Sequence, residues 1–185
     1  MATRTLLTAE QLAGLSGEDD RYKLAELDEG ELIEGAAASA RHGCVGVRLA
    51  ALLYAFVHDR SLGTLYGTEA GFVLTRNPDT VVCPDLAFVR SERVPEGDTD
   101  EFFPGAPDLA VEIFSKTYTF PRLMRIVRQY FRYGTHTVWI LYPAKTQVQV
   151  LEFSGKNRLL SSEAVLESPE LLPGFSIPIK EVFGL

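Results

Sequence analysis

Apolar residues follow a helical spacing in two long segments of the chain. Over residues 42–60 they recur every three or four positions, as at Val45 and Leu49, and predict a core helix. A second helix is predicted over 121–133, because proline stands in its first turn and Gly134 follows its end. Both helices are expected to pack against a sheet.

Shorter elements are predicted near the two ends of the chain. Thr8 followed three residues later by Gln11 is a capping-box pattern, which indicates a short helix. Residues 22–33 alternate imperfectly around a turn that contains Gly30, and they predict a hairpin. The tail is expected to pack irregularly and to end in a helical turn at 180–183.

Five further segments have the composition of strands. Residues 69–74 and 81–89 flank a proline-containing turn and predict an antiparallel hairpin. Residues 109–114 predict a buried central strand, and 138–142 and 147–153 predict two more strands. Strands and helices therefore follow one another without strict alternation.

This order predicts an α+β (α/β) fold, in which a mixed β-sheet is flanked by helices and preceded by an N-terminal helix and hairpin. With 185 residues, of which 46% are hydrophobic, the chain fits one domain over 1–185, with 1–21 as a peripheral segment. No apolar run approaches the roughly 20 residues that cross a bilayer, and the start lacks a signal-peptide pattern. We therefore expect a cytoplasmic protein without membrane contact.

Charge is distributed unevenly along the chain. The net charge of −7 argues against a surface that attracts nucleic acid everywhere. Acidic residues crowd 17–34, whereas 116–132 contains no acid and five cations, namely Lys116, Arg122, Arg125, Arg128 and Arg132. The four arginines share one helix face. That face either follows the phosphate backbone of DNA or pairs with the acidic segment of this subunit or a second one.

Two carboxylates stand in apolar surroundings. Asp85 lies within the run 81–89 and Glu112 within the run 109–114. A charge in such a place is costly unless it is paired or coordinates a metal. Each acid either pairs with an arginine of a neighbouring element, or the two together bind a hard divalent cation such as Mg²⁺.

Pro84-Asp85 followed by an acid on a later strand resembles the PD-(D/E)xK nuclease signature. More narrowly, the chain resembles the Uma2 family, also known as domain of unknown function 820, which is grouped with the restriction endonucleases. The matching segments keep the family order from about residue 22 to the end. They are Glu31-Leu32-Ile33-Glu34, Arg41-His42-Gly43, Gly71-Phe72-Val73-Leu74, Pro84-Asp85-Leu86-Ala87-Phe88-Val89, Gly105-Ala106-Pro107-Asp108-Leu109-Ala110-Val111-Glu112-Ile113 and Leu172-Pro173-Gly174-Phe175.

The resemblance implies a restriction-endonuclease-like core in which Asp85 and Glu112 hold Mg²⁺, with Mn²⁺ as a substitute, and a lysine steadies water or phosphate. The bare signature places this lysine at Phe114, and the family pattern places it at Ile126. Lys116 is the preferred replacement, and it is otherwise an ordinary loop lysine. Arg125 and Arg128 are further candidates.

Two more residues have both a functional and a structural interpretation. His42 opens the first helix and is either a general base or phosphate contact, or a capping and packing residue. Glu31 either adds a third carboxylate to the metal site or is a surface charge of the hairpin.

The leading hypothesis is a metal-dependent DNA endonuclease, active as a homodimer because two symmetric copies can cut both strands. The alternative is a catalytically impaired member of the fold that acts as a nucleic-acid-binding or oligomeric interaction module. Phe114 and Ile126, which stand where lysine is expected, favour that alternative. A hydrolase of some small phosphoester is also compatible with the residues.

Overall fold

The computed structural model describes residues 6–35, 37–97, 100–115 and 119–185. These residues form two β-sheets, a C-terminal hairpin and the helices that cover them. The elements are α1 Ala9–Glu18, β1 Glu26–Asp28, β2 Glu31–Ile33, α2 Ala40–Asp59, β3 Gly63–Tyr66, β4 Phe72–Thr75, β5 Thr80–Val82, β6 Leu86–Arg90, β7 Phe103–Pro104, β8 Leu109–Ile113, α3 Phe120–Arg132, β9 Thr137–Tyr142, β10 Gln147–Glu152, β11 Asn157–Leu160, β12 Val165–Ser168, β13 Leu172–Pro178 and α4 Ile179–Phe183.

The larger sheet has six strands in the order β11-β10-β9-β8-β6-β3, and the smaller has five in the order β2-β1-β5-β4-β7. Strands β8 and β9 run parallel, with α3 as the connection between them, and β4 and β7 are also parallel. The other neighbouring pairs are antiparallel. The predicted α+β fold with mixed β-structure flanked by helices is confirmed, but the strands form two mixed sheets where one was expected.

Helix α2 covers one face of the six-stranded sheet. The Ser39 hydroxyl accepts a hydrogen bond from the His42 N–H at 3.3 Å and caps its first turn. Val45, Leu49 and Leu53 repeat at helical spacing and are buried in the core with Val111 of β8. The helix predicted over 42–60 therefore forms.

The expectation that no segment resembles a membrane span needs correction, since α2 passes the test of length and composition. It has 20 residues, and a stretch of 18 of them has a mean hydropathy of 1.2. Its side toward the sheet belongs to the core, as the burial of Val57 also shows. A helix that packs on the core can have the same length and composition as a helix that spans a membrane, so these two properties do not distinguish the two cases for α2.

Helix α3 covers the opposite face of the same sheet. Leu123, Ile126, Val127 and Tyr130 are buried with Ala110 and with residues of the smaller sheet. Side chains of a strand alternate between faces, so β8 directs Val111 toward α2 and its even-numbered neighbours toward α3. Glu112 is one of these neighbours and hence faces α3.

The N-terminal helix and hairpin form as predicted and are well packed. The Thr8 hydroxyl and the Gln11 side chain complete the capping box at the start of α1. Leu12 is fully buried against the five-stranded sheet. In the hairpin turn both Glu29 and Gly30 have positive φ, 52° and 83°, as a two-residue type I′ turn requires. An added Cβ at Gly30 would lie 2.8 Å from Leu6 Cβ.

Two predictions about strands were wrong. The run over 81–89 is not one strand, because it divides at Pro84 into β5 of the smaller sheet and β6 of the larger one. The tail is not irregular, since β12 and β13 form an antiparallel hairpin ahead of α4. The pairing of β4 with β5 was predicted correctly.

Candidate metal and phosphate site

Asp85 lies in the crossover between the two sheets, directly before β6. Its Oδ2 accepts a hydrogen bond of 2.6 Å from the Ile113 N–H, and its Oδ1 lies 2.8 Å from His42 Nε2. The Thr68 hydroxyl donates to the Asp85 carbonyl oxygen at 3.2 Å. The carboxylate is thereby fixed between the start of α2 and the end of β8, although Asp85 is not inside a strand as expected.

Glu112 projects from β8, one of the two central strands of the larger sheet, and is 5% exposed. The hydroxyl of the fully buried Tyr130 donates to its Oε1 at 2.8 Å, which ties β8 to α3. Burial raises the pKa of Glu112 well above its ordinary value, and the negative charges of Asp85 and Glu26 add to this. The ionised form of Glu112 is therefore costly without a nearby cation.

Glu26 on β1 is a further carboxylate of the site, which the sequence interpretation missed. It is 7% exposed and accepts hydrogen bonds from the Cys83 N–H and from Arg122 Nη2, each at 3.1 Å. Burial raises its pKa despite these two donors. Its place between Ala25 and Leu27, both buried, is the same signal that singled out Asp85 and Glu112.

These carboxylates border one cavity of about 130 Å³. Among the described lining residues, four are carboxylates, one is a histidine and Arg122 is the only lysine or arginine. The lining residues are Leu24, Glu26, Glu34, Gly35, Ala38, His42, Thr68, Cys83, Asp85, Glu112, Ile113, Ser115 and Arg122. Within the described ranges, no three His, Cys, Asp or Glu side chains converge into a ready-made metal cage.

Glu31, expected as a third metal ligand, does not border this cavity. It is exposed on β2, opposite Asp28 in the hairpin register. Position along the hairpin explains the difference, because Glu31 pairs with Asp28 and not with Glu26, and Asp28 lies two residues, about 6.6 Å, further along β1 than Glu26. Glu26, and at the rim Glu34, occupy the place that was assigned to Glu31.

His42 is held against Asp85 and contributes to the position of that carboxylate. The hydrogen bond to Asp85 raises the pKa of His42, and partial burial opposes the rise. Its Nδ1 is buried and has no hydrogen-bond partner among the described residues. The contact at Nε2 fixes the orientation of the imidazole relative to Asp85.

The cation that the signature requires does not come from the expected positions. Phe114 packs against Tyr142 with ring centroids 5.5 Å apart, and Ile126 is 3% exposed in the core. Lys116 lies outside the described residues. Ile126 nevertheless stands one turn from Arg122 and one turn from Tyr130, so the three share a line on α3 that faces the carboxylates.

Two of the four arginines of α3 form ion pairs with the N-terminal hairpin, and the other two are exposed. Arg122 forms an ion pair with Glu26, and Arg125 forms one with Asp28, whose Oδ1 also accepts a 2.6 Å hydrogen bond from Gln129. These contacts bind α3 to the acidic hairpin of the same chain, as one of the two interpretations of this face requires. The two later arginines of α3, Arg128 and Arg132, are exposed.

Comparisons with known proteins identify the family to which the chain belongs. The chain matches the family model described as "Uma2: Putative restriction endonuclease" over residues 9–180. No curated protein matches it. A crystal structure described as a putative nuclease belonging to DUF820 from Anabaena variabilis is similar, with a TM-score of 0.78 and 18% identity over 86% of this chain and 89% of that chain. That likeness supports the fold, and because the family model spans most of the sequence, the chain belongs to the Uma2 family.

Proposed function

We propose that this protein hydrolyses phosphodiester bonds of DNA with the help of a divalent cation, Mg²⁺ or Mn²⁺. The observation that carries the proposal is the meeting of Glu26, Asp85 and Glu112 in one cavity beside Arg122. The description of the family supports the nuclease class. Carboxylates and a phosphate-binding cation in one cleft are the parts that metal-assisted phosphodiester cleavage needs.

The donor set fits a hard cation. Three buried or partly buried carboxylates crowd one cavity, and the raised pKa of Glu112 reflects its burial and this shared negative charge. Mg²⁺ binds one or two carboxylates and completes its octahedron with water and phosphate oxygens, so a three-residue protein cage is not required. When bound, the cation would lower the pKa of its water and offset the charge of the phosphate.

The surrounding residues orient the two ligands. The Ile113 N–H and His42 fix the Asp85 carboxylate, and the Tyr130 hydroxyl fixes Glu112 from the opposite side. Because both acids are held by groups of rigid elements, little rearrangement is needed when a cation binds. Asp85 and Glu112 are the proposed metal ligands, with Glu26 as an outer carboxylate.

Arg122 is the proposed phosphate-binding group in place of the family lysine. Its hydrogen bond to Glu26 holds the guanidinium beside the cavity, and the planar fork of a guanidinium matches the geometry of a phosphate. Arginine stays protonated, so it can offset charge on the phosphate but cannot take a proton from water. A slower reaction than that of a lysine-containing site is the expected consequence.

DNA is proposed to approach along the exposed part of α3. Arg128 and Arg132 lie beyond the two arginines that pair with the hairpin. Cations on one helix face can follow a phosphate backbone and gain affinity from the release of counterions. This surface leads toward Arg122 and hence toward the carboxylate cavity.

Cleavage of plasmid and oligonucleotide DNA in Mg²⁺ or Mn²⁺ tests the proposal. The wild type is expected to cleave, Asp85→Ala and Glu112→Gln to lose activity by at least about a hundredfold, and Arg122→Gln to be impaired while Arg122→Lys retains cleavage. Glu31→Ala is the matched control, because this exposed glutamate lies outside the cavity. Equal cleavage by wild type and Asp85→Ala would contradict the proposed site.

The buried Ile126 favours a second candidate function, a nucleic-acid-binding member of the fold with an impaired site. Ile126→Lys places an ammonium group on the line between Arg122 and Tyr130. Cleavage by this variant alone supports the impaired site. Salt-sensitive DNA binding without cleavage by any variant supports a binding module.

A further inference from the structure

A second pocket, lined by aromatic residues, lies next to the carboxylate cavity. It has a volume of about 360 Å³, which is within the usual range of small-ligand pockets, about 300–1,000 Å³. Phe114, Phe120 and Tyr142 supply its rings, and Lys145 supplies its charge. None of the described lining residues is acidic, in a chain whose net charge is −7.

The aromatic pocket and the carboxylate cavity meet at the carboxyl end of β8. Glu112 borders the cavity, whereas Phe114, two residues further, borders the pocket. Two residues of strand span about 6.6 Å, a distance that one or two nucleotides cover. The carboxyl ends of parallel strands, here β8 and β9, are also where ligands of α/β sheets usually bind.

The chemistry of the pocket suits a nucleobase with its phosphate. Phe120 is 56% exposed and Leu159 is 59% exposed, so apolar surface is open to a flat ligand. Lys145 is exposed and forms no ion pair with any described residue, which leaves its ammonium available to a phosphate. The Tyr142 hydroxyl is fixed by a 2.9 Å bond to Gln149, so this ring is held in place.

We propose that this pocket binds the base of a nucleotide that flanks the scissile phosphate. The inference rests on the proposed nuclease function and extends it, because it assigns the neighbouring nucleotide to Phe114, Phe120, Tyr142 and Lys145. Stacking on aromatic rings tolerates any base, so the pocket contributes affinity and strand position rather than a sequence code. A base at this position must leave its stack, which favours single-stranded or distorted DNA.

Photo-crosslinking locates the base directly. Single-stranded DNA that carries 5-iododeoxyuridine is irradiated with the wild-type protein in Ca²⁺, which keeps the strand intact, and the crosslinked peptide is identified by mass spectrometry. The expected adducts lie at Phe114, Phe120 or Tyr142. Adducts only elsewhere, or none, would overturn the inference.

Affinity gives the second readout. Phe120→Ala is expected to weaken binding of the base-containing strand about 5- to 150-fold, the usual contribution of one stacked base, and to leave an abasic strand unaffected. Phe153→Ala is the matched control, since Phe153 is 68% exposed and does not border the pocket. An equal effect on both strands, or none, contradicts base binding.

The two proposals can fail separately. Adducts in the pocket together with no cleavage by any variant would leave the base site standing and remove the nuclease function. Cleavage that is insensitive to Phe120→Ala, with adducts elsewhere, would remove the base site and leave the nuclease function.

Discussion

At the scale of single residues, the apolar surroundings of a carboxylate were an informative signal. Asp85 and Glu112 were identified this way and lie in one cavity. Glu26 carries the same signal but was missed, because its partner Arg122 lies 96 positions away in the chain. The charge of an acid can be read from sequence, but its partner is set by the tertiary fold.

Asp108 has the same sequence signal as Asp85 but does not border the cavity. Like Asp85 it follows a proline within a family-like segment, and its side chain is likewise mostly shielded from solvent. It forms an ion pair of 2.9 Å with Arg93 and accepts a hydrogen bond from the Arg90 backbone N–H at 3.0 Å. One Pro-Asp pair therefore borders the cavity and the other stabilises a loop, a difference that sequence alone does not reveal.

Glu112→Gln is expected to stabilise the metal-free protein at neutral pH while it removes cleavage. The amide oxygen can still accept the Tyr130 hydrogen bond, and the costly buried charge is gone. Each 1 kcal/mol gained raises the Tm of a domain of this size by about 2–4 °C. Thermal unfolding in the presence of a chelator measures the change, and a lower Tm for Glu112→Gln would contradict the account.

The raised pKa of Glu112 also leads to a prediction about how the free energy of unfolding depends on pH. Burial raises the pKa of Glu112, so the folded state holds this proton to higher pH than the unfolded chain does. The raised pKa of His42 acts in the same direction. Without metal, the free energy of unfolding should fall as the pH rises through both folded pKa values, and less steeply for Glu112→Gln. A wild type that gains stability over that interval would be inconsistent with this.

At the scale of elements, periodicity predicted both long helices and most strands, and the capping box predicted the start of α1. The apolar pattern did not predict the end of a strand at Pro84, where the apolar run continues while the chain passes from one sheet to the other. Hydrophobic residues are buried in either sheet, so composition does not show the crossover. Asp85 owes its place in the cavity to this crossover.

The attachment of α1 gives a prediction about stability. The Asp79 carboxylate accepts hydrogen bonds from the Ala9 N–H at 2.8 Å, the Asn77 N–H at 3.1 Å and Arg76 at 2.9 Å. Asp79→Ala is expected to lower the free energy of unfolding by about 1.5–3 kcal/mol, since the buried Ala9 N–H loses a charged partner. Denaturant unfolding measures the loss. The control Asp20→Ala removes an exposed carboxylate, and a loss of similar size there would rule out the explanation.

At the scale of the whole molecule, the net charge of −7 requires that any interaction with DNA be local. The exposed Arg128 and Arg132 are the proposed phosphate-binding residues on the outer part of α3. Their joint replacement by Gln is expected to weaken duplex binding and to reduce the slope of log K against log salt by about 0.9 for each phosphate that is no longer neutralised. Arg60→Gln serves as control, and an unchanged slope in the double variant would exclude this surface.

Titration calorimetry with Mn²⁺ tests most directly whether Asp85 and Glu112 form a metal site. The wild type should bind one ion per chain, and Asp85→Ala and Glu112→Gln should each weaken that binding at least about tenfold without unfolding the protein. Glu31→Ala should bind like the wild type. The absence of Mn²⁺ binding by the wild type, or equal binding by Asp85→Ala, would contradict the claim that these two carboxylates form the metal site.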